Sequence, residues 1–137
     1  MNLAQESPRS PREKLADLAH IPRMIDKARA AKQNTLGEYI YPCPLDQIML
    51  EFLGIDSNTF QEKACNNTEE TLSDWVALQC QNRSLGDKDA VNNKILKGQP
   101  DSPEKWESFH ETRNRIDPTR TDLTTWVDLI DLDEGRI

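Results

Sequence analysis

The sequence predicts an all-α protein, built as a compact single-domain array of seven or eight short helices. Apolar residues recur at the spacing of amphipathic helices along most of the 137 residues. Proline and glycine interrupt these stretches at short intervals and mark helix ends. No alternating run is long enough to form a sheet. We therefore expect a flexible segment over residues 1–9 and one helical domain over residues 10–137.

The N-terminal part of the chain predicts two helices and then a loop. Ser10-Pro11-Arg12-Glu13 has the pattern of a capping box with proline at the first helical position. Because Pro22 prevents simple continuation of that helix, a second one is predicted from there to about Gln33. Residues 34–45 break the helical pattern, and Tyr39-Ile40-Tyr41 is predicted to be a short extended piece.

The remaining helices follow from apolar stripes and their capping residues. The clearest stripe starts at a proline and ends before Gly54, which has the position of a glycine cap. Its members are Leu45, Ile48, Met49, Phe52 and Leu53. Further helices are predicted over about 57–65, after Thr68, over about 88–97, after Ser102 and over about 122–132.

Composition and charge exclude several classes of protein. No apolar run approaches the roughly 18 residues of a membrane span, and the N-terminus does not resemble a signal peptide. Three cysteines give neither a disulfide framework nor a zinc pattern, which fits a reducing cytoplasm. The net charge is −7, although residues 1–33 carry seven Lys and Arg against four Asp and Glu. An acidic surface repels nucleic acid, so we expect no binding to DNA or RNA.

The loop over residues 34–46 holds the most unusual chemistry. Tyr39, Tyr41 and Cys43 lie among prolines, directly before a predicted helix N-terminus. The positive end of the helix dipole would lower the pKa of a thiol there and favour the nucleophilic thiolate. The alternative is a structural role, with Cys43 as a small apolar plug and both tyrosine rings packed on the core.

A second group of candidates surrounds the predicted helix break. His20 precedes Pro22 and is a candidate general base. Arg23 and Lys27 are one helical turn apart and together could bind a phosphate or a carboxylate. The alternative is a solvated helix face, in which Asp26 forms ordinary ion pairs with its neighbours.

Metal and cofactor signals are weaker. The carboxylates near the C-terminus, Asp128, Asp131, Asp133 and Glu134, lack the spacing of a calcium-binding loop, and we predict no metal site. His110 is expected to be a hydrogen-bonded boundary histidine. No phosphate-binding glycine loop or nucleophile-elbow serine is present, so the sequence indicates no particular cofactor.

Four segments resemble a family of small bacterial proteins catalogued as a domain of unknown function. They are SPREKLADLAHIPRMIDKARA, TLGEYIYPCPLDQ, FLGID and TTWVDLIDLDEGR. The resemblance reaches both ends of the chain, and it implies a bacterial, soluble, stand-alone domain. It implies no activity, cofactor or catalytic residue.

Two functions therefore stay open. The first is a helical binding or adaptor module that recognises a small anionic ligand or a partner protein through Arg23, Lys27, Tyr39 and Tyr41. The alternative is a small enzyme that uses His20, Cys43 or the nearby tyrosines on a small substrate. The first is favoured because no catalytic constellation is visible in the sequence. Convergence of Tyr41, Cys43, His20 and Arg23 in one closed pocket would favour the enzyme.

Overall fold

A computed structural model describes residues 1–137 and contains two short strands and seven helices. Their bounds are β1 (Lys14–Leu15), β2 (Leu18–Ala19), α1 (Ile21–Lys32), α2 (Pro44–Leu53), α3 (Ser57–Asn66), α4 (Glu69–Gln79), α5 (Leu85–Leu96), α6 (Pro103–Ile116) and α7 (Trp126–Asp133). Helices hold 56% of the residues, which confirms the predicted helical class in its broad form.

The predicted first helix is wrong, because the chain forms an antiparallel hairpin of β1 and β2 there. The capping contact exists, since the Ser10 amide donates to the Glu13 carboxylate over 3.3 Å. The chain nevertheless reverses at Ala16 and Asp17, whose φ angles of 51° and 63° give a turn that matches the twist of paired strands. The hairpin buries Leu18 completely. Tertiary packing therefore overrides the local helix signal.

Most other predicted helix ends are confirmed. Asp56, Thr68 and Ser102 each cap a helix by accepting a hydrogen bond from a first-turn amide. Gly54, with a φ of 71°, lies in the left-handed conformation that ends α2. Two starts differ from the prediction: α5 begins at Leu85, and α7 begins only at Trp126, after its Thr125 cap. Residues 39–41, predicted to be extended, pair with no strand.

The backbone contacts divide the chain into two units, the first of which covers residues 1–95. In this unit α1 packs mainly against α3 and against β1. Its large, fully buried apolar residues come from the hairpin and from all five of its helices. They are Leu18, Ile21, Met24, Ile25, Met49, Phe60, Leu72, Val76 and Ile95.

The second unit covers residues 96–137 and contains the packed pair α6 and α7. Phe109 is fully buried, and its ring centroid lies 5.5 Å from that of Trp106 and 5.6 Å from that of Trp126. Both pairs have the edge-to-face arrangement that aromatic rings favour. That residues 10–137 form a single domain stays a prediction.

The N-terminal segment contacts the loop that follows α1. Leu3, within the residues predicted to be flexible, is 4% exposed, and its amide donates to the Thr35 carbonyl over 2.8 Å. Gly37 lies directly against this segment. A Cβ atom at Gly37 would come within 2.8 Å of the Ala4 Cα and within 2.9 Å of the Leu3 carbonyl oxygen.

We expect Gly37→Ala to lower the free energy of unfolding by at least about 1 kcal/mol, because its φ of 61° and the adjacent backbone both disfavour a side chain. Chemical denaturation of the full chain measures the change. Gly86→Ala is the control, since a Cβ there lies 3.6 Å from the Ser84 Oγ and α5 favours alanine. Equal stability of the two variants would contradict the proposed close approach.

Candidate functional site

His20 lies at the junction between the hairpin and α1. Its amide donates to the Glu13 carbonyl over 3.1 Å, which extends the pairing of the hairpin by one residue. Its φ of 73° is a left-handed conformation that costs a non-glycine residue about 1 kcal/mol. The side chain is fully buried. His20 thus combines a strained backbone conformation with a side chain in the protein interior.

Asn92 of α5 forms two hydrogen bonds with the backbone of the hairpin. Its Oδ1 accepts a hydrogen bond from the Ala19 amide, and its Nδ2 donates to the Asp17 carbonyl, both over 2.8 Å. Asn92 is 5% exposed, so both bonds are shielded from water. This clamp fixes the position of the strand that leads directly into His20.

Cys43 and Asp46 are positioned by the start of α2. Pro44 occupies the first turn, where its missing N–H is not needed. The Cys43 amide donates to the Asp46 Oδ2 over 2.8 Å, while the sulfur faces the Asp46 amide. The two residues therefore cap the helix reciprocally, as Ser and Glu do in the common capping box.

Asp46 joins these elements in one buried network. Its Oδ1 lies 2.6 Å from the His20 Nε2, and its Oδ2 lies 2.6 Å from the Lys27 Nζ of α1. The side chains of His20 and Asp46 are 0% exposed and that of Lys27 is 3% exposed. The Cys43 sulfur lies within 4.8 Å of a ring nitrogen of His20 and of a carboxylate oxygen of Asp46. Of the four side chains, that of Cys43 is the one that reaches the surface.

The charges in the network shift the pKa values of three groups. Burial alone would raise the pKa of Asp46, but hydrogen bonding to His20 and the positive charges of His20 and Lys27 lower it to about 2. Burial would lower the pKa of His20, yet its bond to Asp46 raises that pKa above the ordinary value. Burial would also raise the pKa of Cys43, but its interaction with His20, aided by Lys27, lowers it. The opposite shifts of His20 and Cys43 make proton transfer from the thiol to the imidazole easier than between the unperturbed groups.

His20 also has an unused nitrogen. Its Nδ1 is buried and has no hydrogen-bond partner. An ionised carboxylate only accepts hydrogen bonds, so the Nε2 must carry the hydrogen in the bond to Asp46. The Nδ1 is then left as the proton acceptor of a neutral imidazole. A buried nitrogen without a partner is costly in a purely structural role.

The other candidates predicted from the sequence are engaged elsewhere. Arg23 is 5% exposed, its Nη1 donates to the Arg9 carbonyl over 3.1 Å, and its guanidinium lies 5.5 Å from the centre of the Tyr39 ring. The Tyr41 hydroxyl donates to the Ser57 carbonyl over 2.7 Å, and burial raises the pKa of this phenol. The structure thus brings His20 and Cys43 together, with Lys27 beside them, and gives Arg23 and both tyrosines other partners.

Sequence reasoning missed Asp46, the residue on which the network centres. A signal for it exists in the sequence, because Asp46 follows Cys43 at the three-residue spacing of a capping box. No spacing rule places His20 or Lys27 against it, since they lie 26 and 19 residues away along the chain. Their contact depends on the tertiary structure, which brings the side chains of α1 and the hairpin junction to the start of α2.

The same cluster offers donor atoms for a metal ion. A thiolate, an imidazole and a carboxylate are all ligands of Zn²⁺. However, both oxygens of Asp46 are already occupied, and the ammonium group of Lys27 would repel a cation at the Oδ2. The 2.6 Å between His20 and Asp46 is the length of a hydrogen bond. The geometry therefore fits proton transfer better than metal coordination.

Comparison with known proteins identifies the family and no activity. A model of a family described as a domain of unknown function, DUF5069, matches residues 5–136. The chain belongs to this family, as its four characteristic segments predicted. No curated protein matches the sequence. Among the seven helices, none is both long and apolar enough to cross a membrane.

We expect Asp46→Asn to lower the free energy of unfolding by about 3 kcal/mol or more, because it leaves the Lys27 ammonium buried without a counter-ion. Denaturant titrations at neutral pH measure the loss. Asp122→Asn is a suitable control, since this exposed carboxylate pairs with Arg120 at the surface. The free energy of unfolding of this variant should be close to that of the wild type.

The pH dependence gives an independent check on the same carboxylate. The pKa of Asp46 is about 2 in the folded chain against 3.8 when unperturbed, so its stabilisation is complete above pH 3.8 and is lost as the pH falls towards 2. Asp46→Asn should therefore lose less stability than the wild type across that window. Parallel stability curves for the two proteins would rule out a buried, ionised Asp46.

Proposed function

We propose that the protein is a small enzyme in which the Cys43 thiolate is the nucleophile. His20 is its base and Asp46 orients the imidazole. The observation that carries the proposal is the 2.6 Å bond between the buried His20 and Asp46, with the Cys43 sulfur within 4.8 Å of both. A nucleophile, a base and an orienting carboxylate are the three parts of a catalytic triad.

Burial of the network favours a chemical role over a structural one. Removing charged groups from water is costly, and replacing a buried ion pair by apolar residues is often neutral or stabilising. The left-handed conformation of His20 adds a further cost of about 1 kcal/mol. A fold that needed only stability would gain little from these features. They are expected where a thiol must be ionised at neutral pH.

The chain supplies each part of a nucleophilic step. The thiol proton moves from the Cys43 sulfur to the Nδ1 of His20, while the Nε2–H continues to donate to Asp46. The thiolate then attacks an electrophilic carbonyl carbon of the substrate, forming a bond between sulfur and carbon. The proton on His20 passes to the departing group as the old bond breaks. A water molecule deprotonated by His20 then attacks the carbon of the thioester. The carbon–sulfur bond breaks, the acyl group leaves as a carboxylic acid, and the proton on His20 returns to the sulfur of Cys43.

The start of α2 assists this step. Its dipole places partial positive charge next to the sulfur, which stabilises a thiolate. The amide of Leu45 lies in the first turn, where no helical carbonyl can accept from it. Such an amide is suited to stabilise the oxyanion that forms when the thiolate adds to a carbonyl.

The anion-binding alternative receives less support. Arg23 and Lys27 are 5% and 2% exposed, and their cationic groups bond to the Arg9 carbonyl and to Asp46. A ligand that used both cations would have to replace these bonds. The proposal that the domain binds a small anion through these residues therefore ranks second.

We expect Cys43 to react with iodoacetamide about tenfold faster than Cys65 or Cys80 at pH 7, although Cys65 is the more exposed thiol. Labelling resolved by peptide mass spectrometry measures the three rates in one sample. His20→Asn is the matched variant, because asparagine tolerates the left-handed backbone but is not a base. In this variant the pH dependence of the Cys43 labelling rate should shift to higher pH.

Two results would argue against the proposal. One is a Cys43 rate equal to or below that of Cys65 in the wild type. The other is an unchanged pH profile in a folded His20→Asn variant. Either would show that His20 does not activate the thiol and would leave the cluster as a structural ion-pair network.

A further inference from the structure

The Asp46 carboxylate is shared by three groups, and Lys27 is the least expected of them. The Lys27 Nζ lies 2.6 Å from the Oδ2, the same oxygen that accepts the Cys43 amide over 2.8 Å. The ammonium group therefore lies close to the backbone of the nucleophile. Its side chain is 3% exposed, so water screens its charge only weakly.

We propose that Lys27 is a positioning residue that sets the charge balance of the site and so keeps Cys43 in its thiolate form. This inference rests on the proposed nucleophilic role of Cys43. Lys27 touches neither substrate nor sulfur in this scheme. It acts through the carboxylate that it shares with Cys43 and His20.

The charge count explains why a cation is needed. After proton transfer the cluster holds two positive groups, Lys27 and the imidazolium of His20, and two negative groups, Asp46 and the Cys43 thiolate. It is then neutral. Without the ammonium group the same state carries a net charge of −1 in a buried site. The cluster then becomes uncharged by taking up a proton, which leaves the imidazolium of His20 beside the neutral thiol of Cys43. Loss of Lys27 should therefore disfavour the thiolate.

The charged groups near the sulfur include no second cation of a lysine or arginine. The groups that interact electrostatically with the sulfur are His20, Lys27 and Asp46. The charges of Asp56, which caps α3, and of Cys65, in its last turn, act together with Asp46 on Tyr41. Arg29, a further cation of α1, donates to the carbonyls of Ala64 and Asn67 at the end of α3. Of these two cations of α1, Lys27 is the one bonded to the cluster.

The test compares the pH profile of Cys43 labelling by iodoacetamide in Lys27→Gln and in the wild-type full chain. Glutamine keeps a hydrogen-bond donor for Asp46 and removes the charge. We expect the profile to move up by about one pH unit and the rate at pH 7 to fall about tenfold. Lys27→Met is the second neutral variant and should shift the profile in the same direction.

Arg29→Gln is the matched control, because it removes a positive charge from the same helix at a site outside the cluster. Its Cys43 profile should coincide with that of the wild type. Circular dichroism verifies that each variant is folded. A purely structural lysine would change the denaturation midpoint without moving the labelling profile.

The outcomes separate this inference from the proposed function. An ordinary thiol profile for Cys43 in the wild type would overturn the proposed function, and the inference with it. A depressed wild-type profile that Lys27→Gln leaves unchanged would overturn the inference alone. So would an equal shift in Arg29→Gln. Failure of both neutral variants to fold would assign Lys27 to folding and overturn the charge-balance role.

Discussion

The arrangement of residues 1–95 depends on one constraint, which is the need to stabilise the completely buried carboxylate of Asp46. An isolated buried carboxylate would be too costly to keep ionised, so the fold must bring compensating groups to it. It does so from three parts of the chain: Lys27 from α1, His20 from the hairpin junction and the Cys43 amide from the start of α2. Satisfying one charge therefore fixes the mutual positions of three segments that are distant in sequence.

The same constraint explains the structure of the chain before His20. The hairpin, its turn through Ala16 and Asp17, and the clamp formed by Asn92 all fix the chain immediately before His20. The strained backbone of His20 is held by this framework. Because the base and its orienting carboxylate are both buried, a substrate would first meet the site at Cys43, whose side chain reaches the surface. Rigid support of this kind is what a proposed nucleophile requires.

Local rules predict most of the helices and little of the candidate site. Caps such as Thr68 and Ser102, and the glycine at position 54, mark helix ends through contacts within a few residues. The sequence does not predict the hairpin, because the helix-capping contact at Ser10 is present but the burial of Leu18 outweighs it. His20 and Cys43 were identified singly by their chemistry. Their convergence on Asp46 depends on long-range packing, which no residue spacing encodes.

The central claim is that the buried network makes Cys43 a nucleophile that completes a catalytic cycle. Intact-mass spectrometry during incubation with p-nitrophenyl acetate tests it most directly. The account predicts a single acetyl adduct on Cys43 that forms and then disappears as product accumulates, and no such adduct in Cys43→Ala. Absence of the adduct, or an adduct that persists without turnover, would contradict it.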